Sequence, residues 1–392
     1  MLLSFALILV IGLLASKLFT IIKLPGLLGM LMVGILLGPY SLGVLDDELL
    51  SISHYLRTFA LIVILLRAGL GLKRENLVKV GGVAIRLSAI PCLLEGVSVM
   101  IASYFLLGLD FAQAGMLGFI VAAVSPAVVV PGMIALREEG YGEDKQISTM
   151  ILAGASVDDV FAITLFSSFL AMGVGDETNV LVEIAKIPIG VGVGIIGGLV
   201  LALFLIKIYD VKFLNARNTE KLLLLLGISI IYFEIGEHFG IAALLGIMTI
   251  GLVILEKREI AANKFSVKLA KIWVFAQIIL FTLVGAKVDI GVAIQAGTVG
   301  VVIIVVGLMA RSIGVFLATI RTKLNIKERI FCIIAYMPKA TVQAAIGAIP
   351  LGLGVGAGET ILAVSVLAIL ITAPLGAIGI KYGAPILLKK TN

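Results

Sequence analysis

Charge is scarce in this sequence. Of its 392 residues, 14% are charged and 61% are hydrophobic, where a soluble domain carries about 25% charged residues. That shortage excludes a string of soluble domains, although the length alone would accommodate two or three. Tryptophan occurs once, histidine twice and cysteine twice. Cys92 and Cys332 each fall inside an apolar stretch, which excludes a disulfide framework and a thiolate metal site. Neither C-x-x-C nor H-E-x-x-H occurs, so redox and zinc-hydrolase chemistry lack their residues and no cofactor is expected. No basic stretch precedes the first apolar segment and no A-x-A site follows it, so it reads as a retained span rather than a signal peptide. The net charge of +6 needs no nucleic-acid partner, because the bases are spread over short connections.

What is present is apolar sequence in runs of about 17–25 residues, the length that crosses a bilayer as helix. Thirteen spans are predicted, near 2–19, 24–39, 55–72, 80–107, 113–136, 147–173, 181–207, 220–236, 240–255, 270–286, 293–320, 328–349 and 359–381. The fold class is thus an all-α polytopic bundle whose largest partner is the lipid bilayer. Connections after odd-numbered spans are basic, as in Lys73, Arg74 and Lys79 or Lys207, Lys212, Arg217 and Lys221. Those after even-numbered spans are acidic or nearly uncharged, as in Asp46, Asp47 and Glu48, Asp110, Asp176 and Glu177, or Glu359. The positive-inside rule puts the odd connections in the cytoplasm, with the N-terminus outside and the C-terminus inside the plasma membrane. A wrong span count would scramble this alternation.

The chain also repeats itself. "LLGMLMVGILLG" from Leu27 resembles "LLGIMTIGLVIL" from Leu244, and "LLRAGLGLKREN" from Leu65 resembles "TLVGAKVDIGVA" from Thr282, both displaced by 217 residues. Spans 2–6 pair with spans 9–13. Because partners are seven spans apart, the two five-helix repeats are inverted, a transporter architecture with its site near the midplane. Equivalent spans 5 and 12 carry Pro126 and Pro131, and Pro338 and Pro350. Proline removes an amide donor and disrupts a helix, so crossed broken helices are expected.

Five ionisable residues fall deep within spans: Glu95, Asp158, Asp159, Arg311 and Lys339. Intramembrane charge implies function and named partners. Glu95 and Arg311 are 216 residues apart, within one residue of the repeat offset, and are expected to form a salt bridge across the repeat interface. Successive helical residues project about 100° apart, so Asp158 and Asp159 cannot share one partner. Lys339, beside the break in span 12, is the expected partner of Asp158, leaving Asp159 for a mobile cation or a proton. Ser125, Ser156 and Thr341 offer oxygens for Na⁺ or Li⁺ bound at Asp159 and Asp158. Three carboxylates against two bases leave the core one negative charge, which one monovalent cation or one proton neutralises. Elsewhere, Arg67 near the inner end of span 3 lines an inner vestibule or snorkels, and His54 and His238 at outer edges read as solvated.

With "SPAVVVPG", "SVDDV", "LRAGLGL" and "PKATVQAAIG", the chain resembles the monovalent cation:proton antiporter superfamily, above all its NHA-type sodium/proton antiporters, over essentially its whole length. The resemblance implies a homodimer. It implies an ion-transporting core (80–173 and 293–381) moving in an elevator-like way against dimerisation and scaffold helices (1–72 and 181–286). It also implies that Asp159 binds the ion with Asp158 beside it, and that Lys339, Glu95 and Arg311 hold family positions. Electrogenic members with an Asp-Asp pair resemble this chain but carry Lys where Arg311 stands. Arginine hardly releases its proton, so electroneutral 1:1 exchange is expected over a two-proton cycle.

The rival readings are of other kinds. An intramembrane aspartyl protease puts its two carboxylates on different spans in Y-D and G-x-G-D contexts, which are absent here. A sodium-coupled organic anion symporter needs a more polar site without a buried lysine. A channel is disfavoured by a single buried acidic site. A cation-regulated sensor, and K⁺ in place of Na⁺, are the remaining alternatives.

Overall fold

A computed structural model describes residues 1–72, 74–174, 180–210 and 217–391; Lys73, Asp176, Glu177 and Lys212, named above, lie outside them. The described chain is almost wholly helical, with one isolated antiparallel bridge between Tyr141 and Lys390. Eight helical stretches among the described residues are long and apolar enough to cross a membrane. Each coincides with a predicted span, and the other five predicted spans hold shorter, broken or more polar helices.

The chain runs α1 (Leu2–Ile21), α2 (Gly26–Leu37), α3 (Asp47–Ser51), α4 (Ser53–Gly69) and α5 (Arg74–Leu107). Then come α6 (Phe111–Ala122), α7 (Pro126–Glu138), α8 (Ile147–Gly173), α9 (Val180–Asp210) and α10 (Asn218–His238). They are followed by α11 (Ala243–Lys257), α12 (Glu259–Ala286), α13 (Ile290–Gln295), α14 (Gly297–Thr319) and α15 (Ile326–Ala335). The last three are α16 (Thr341–Ile346), α17 (Ile349–Gly352) and α18 (Gly358–Leu387). Polar residues at the aqueous ends start several of them. Asp110 caps α6 through a capping box with Gln113, and Asn325 caps α15 through one with Glu328.

Predicted span 5 is α6 and α7, separated at Ala123–Ser125. Pro126 takes the first position of α7, where its missing amide costs nothing. Ser125, restricted by the proline after it, is extended (φ −85°, ψ 108°). Span 12 is broken in the same way at Tyr336–Ala340, between α15 and α16, around Pro338. Pro131, by contrast, sits inside α7.

The helices form two packing groups. In one, α5 lies along α14, α8 and α6, with α18 closing over α13, α15 and α6. In the other, α12 lies along α2 and α4, and α11 along α9 and α4. The groups meet where α8 touches α9 and α11, and α4 touches α7. Lipid tails are as apolar as leucine, so helices in a bilayer associate by close packing rather than by hydrophobic transfer. Glycines supply that closeness. A Cβ on Gly34 of α2 would sit 2.9 Å from the backbone nitrogen of Ala286, and one on Gly314 of α14 would sit 2.6 Å from the Cα of Pro91 in α5.

Candidate functional site

The two breaks cross. The Ser125 N–H donates to the Pro338 carbonyl at 2.8 Å, and the Ser125 and Thr341 hydroxyls lie 3.4 Å apart. Breaking a helix frees backbone groups that must be satisfied in a water-poor interior. Gln343 of α16 satisfies two of them, its Nε2 donating to the carbonyls of Ile120 (2.8 Å) and Ala123 (2.9 Å) at the end of α6. Arg311 Nη2 donates to a third, on Ala122. The freed Val124 N–H donates to Asp158 Oδ2 at 2.8 Å, and the Lys339 N–H donates to Thr372 at 2.9 Å.

All five intramembrane charges gather around this crossing, and each is buried. Glu95 and Arg311 form the expected pair across α5 and α14, joined through Glu95 Oε2 and Arg311 Nε. Arg311 also reaches Asp158, with Nη1 3.4 Å from Oδ1, and its guanidinium lies 5.8 Å from the ring centre of Tyr336. Lys339 does not pair with Asp158, contrary to the sequence expectation. Its Nζ donates to Glu95 Oε2 at 2.7 Å. The break at Tyr336–Ala340 carries Lys339 to the α5 side of the crossing, where Glu95 stands, while Arg311 and the Val124 amide already occupy Asp158. Two bases therefore converge on Glu95, and Asp158 is held by a guanidinium and a backbone amide.

Asp159 is different. One position along α8, it faces the other way, as helical geometry requires. It lines a cavity of about 1010 Å³ bounded by α4, α8, α9, α10, α11 and α16. Its Oδ1 is buried without a hydrogen-bond partner among the described residues. Ser156 and Thr341 line the same cavity, whereas Ser125 is fully buried behind Thr341. The Ser156 hydroxyl donates back to Leu152 O at 2.8 Å, which leaves its oxygen lone pairs as acceptors. The cavity extends from Asp159 to the end of the molecule that carries the acidic connections, with exposed His54 at its rim.

The opposite, basic end is tied together. Arg67 of α4 pairs with Glu138 of α7 at 2.6 Å, so it neither snorkels nor stands free. Lys145 pairs with Glu328 through both carboxylate oxygens at 2.8 Å. Lys381 of α18 donates to the carbonyls of Lys23 (2.9 Å) and Leu24 (3.2 Å).

Gln343, Thr372 and Val124 escaped the sequence reading. Gln343 had a visible signal, an amide in an otherwise apolar stretch beside a break. Val124 had none, since its contribution is a backbone group.

The fold and this arrangement of charges define a membrane ion transporter. The chain superposes on the sodium proton antiporter MjNhaP1 from Methanocaldococcus jannaschii at pH 8 with a TM-score of 0.77, over 98% of this chain and 97% of that one, at 21% identity. It is 37% identical over 400 residues to sodium/hydrogen exchanger 9B2 of Homo sapiens (96% of this chain, 72% of that protein). It is 32% identical over 376 residues to sodium/hydrogen exchanger 9B1 of the same species (91% and 71%). Residues 5–382 match the family of transmembrane sodium/hydrogen exchangers, and the chain belongs to that family as a multi-pass membrane protein.

Proposed function

We propose that this exchanger moves Na⁺, or Li⁺, against H⁺ by alternating access, with Asp159 as the shared carrier. The observation that carries the reading is the isolation of Asp159. Of the three core carboxylates, Glu95 and Asp158 are held by bases and a backbone amide, and Asp159 alone reaches the cavity without a basic partner among the described residues. An unpaired buried carboxylate is costly, so it takes either a proton or a cation, and each displaces the other. Ser156 and Thr341 supply neutral oxygens beside it, and Asp158 supplies negative potential from behind. The donor set is all oxygen, which suits a hard cation.

The division into two packing groups supports alternating access. The core comprises α5–α8 and α13–α18, and the scaffold comprises α1–α4 and α9–α12, which carries the homodimer contact. With the acidic end outside, the cavity is the outward-open path, and the Arg67–Glu138 pair between α4 and α7 closes the inner path. Core movement breaks that pair and carries Asp159 past the scaffold.

The cycle is electroneutral. Lys339 takes its ion pair from Glu95. Cation binding at Asp159 leaves that pair intact, so Lys339 keeps its proton. The core then carries the same charge loaded with one cation or with one proton.

The test is flux in sealed liposomes. An imposed pH gradient should drive Na⁺ in the opposite direction without ATP, with an apparent Na⁺ affinity that worsens as pH falls. Asp159→Asn should abolish exchange in a folded protein. Wild-type exchange in that variant, or an affinity flat with pH, removes Asp159 as the shared carrier.

A further inference from the structure

Arg57 has no part in the exchange cycle above. It sits one turn into α4, lines the cavity that Asp159 lines, and is 7% exposed. Its Nε donates to the Ser53 carbonyl of its own helix at 3.3 Å. No carboxylate pairs with it among the described residues. A guanidinium has five N–H donors, and the terminal ones are left to whatever fills the cavity. Its electrostatic neighbours, His54 and Lys287, are bases. Glu237 and Asp159 share the cavity wall but form no ion pair with Arg57. Buried charges are ordinarily paired, and this one lacks a carboxylate partner among the described residues.

A second feature of the same wall has the same sign. α11 starts at Ala243 with no side-chain cap, and its first residues, Ala243, Leu244 and Leu245, line the cavity. α4 also starts without a side-chain cap, with His54 and Arg57 in its opening turns. The Ala243 N–H already donates to the Ile241 carbonyl at 2.7 Å; the other first-turn amides and the positive end of the helix dipole favour an anion at such places. Water alone satisfies the N–H groups but leaves the charge uncompensated, whereas an anion does both.

We propose that the cavity holds a monoanion on Arg57, between the first turns of α4 and α11. The ligand is a single negative charge with halide or oxyanion acceptors, supplied either by a free ion or by the phosphate of a lipid headgroup at the cavity mouth. Its presence lowers the positive potential that a cation crosses on the way to Asp159.

The experiment follows thermal unfolding of the purified full chain in neutral detergent, with choline as the cation so that Asp159 has no ion to bind. One arm titrates choline chloride and choline phosphate. The other titrates short-chain phosphatidylglycerol against phosphatidylcholine. The wild type should show a saturable rise in melting temperature in one arm, and that arm identifies the source. Arg57→Gln should lose the response or shift its midpoint by roughly tenfold or more, as loss of one charge-assisted contact implies, while Arg57→Lys should retain it. Without anions, Arg57→Gln should melt above the wild type, because it removes an uncompensated buried charge. No saturable response in either arm, an unchanged response in Arg57→Gln, or a lower melting temperature for that variant without anions overturns the proposal.

Discussion

At the scale of single residues, the arrangement turns on who pairs with whom. Glu95 accepts from both Arg311 and Lys339, so it neutralises more positive charge than any other group in the core. Removing one member of a buried pair strands the other and costs about 3–5 kcal/mol. Glu95→Gln strands Lys339 outright and leaves Arg311 with Asp158 alone. That substitution should be the most destabilising charge removal in the core. Double-mutant cycles read by thermal unfolding check the pairing. Glu95→Gln with Lys339→Gln should show a coupling of about 0.5–3 kcal/mol, larger than that between Asp158→Asn and Lys339→Gln. The reverse order would restore Asp158 as the partner of Lys339.

At the scale of elements, the crossing of two broken helices is the costly feature, and its cost is offset by donors from other helices. Gln343 holds the carbonyls of Ile120 and Ala123 together, which fixes the end of α6 against α16. Leaving buried acceptors unpaired costs about 1–3 kcal/mol each. Gln343→Ala should therefore destabilise the protein by a few kcal/mol and lower exchange, because α16 also carries Thr341 beside Asp159. Gln343→Glu, similar in volume but without the amide donors, should be as damaging. Hydrogen exchange at the amides around 120–125 locates the effect, and unchanged protection there in Gln343→Ala would argue that the amide does not hold the break. The proline at the start of α7 is a different matter, since its position requires no donor.

At the scale of the whole molecule, the two ends differ. One opens into the cavity that reaches Asp159, and the other is tied by Arg67–Glu138, Lys145–Glu328 and Lys381 on the turn after α1. The charge balance belongs to this scale too. Three carboxylates against two bases leave one negative charge in the core, and every base is paired away from Asp159. Exchange started by a sodium gradient in sealed liposomes should create no membrane potential and should not accelerate when valinomycin and potassium clamp it. A potential of the sign expected for two protons per sodium would make Lys339 or Asp158 a second proton site.

The sequence by itself determined the features that rest on local chemistry. Apolar run length and loop charge marked the helices. Proline placed both breaks. Adjacency on a helix sent Asp158 and Asp159 to different surroundings. The separation of 216 residues pointed to the pairing of Glu95 with Arg311, because it is written as a distance along the chain. Only the tertiary structure decided what depends on the facing of helices far apart in sequence. It turned Lys339 to Glu95 rather than Asp158, brought Gln343 to the carbonyls of α6, set Arg67 against Glu138 and left Arg57 in the cavity wall without a carboxylate among the described residues. These outcomes depend on rotations and offsets of packed helices, fixed by close approaches such as Gly314 on Pro91. No periodicity within one helix records which of its neighbour's side chains it will meet.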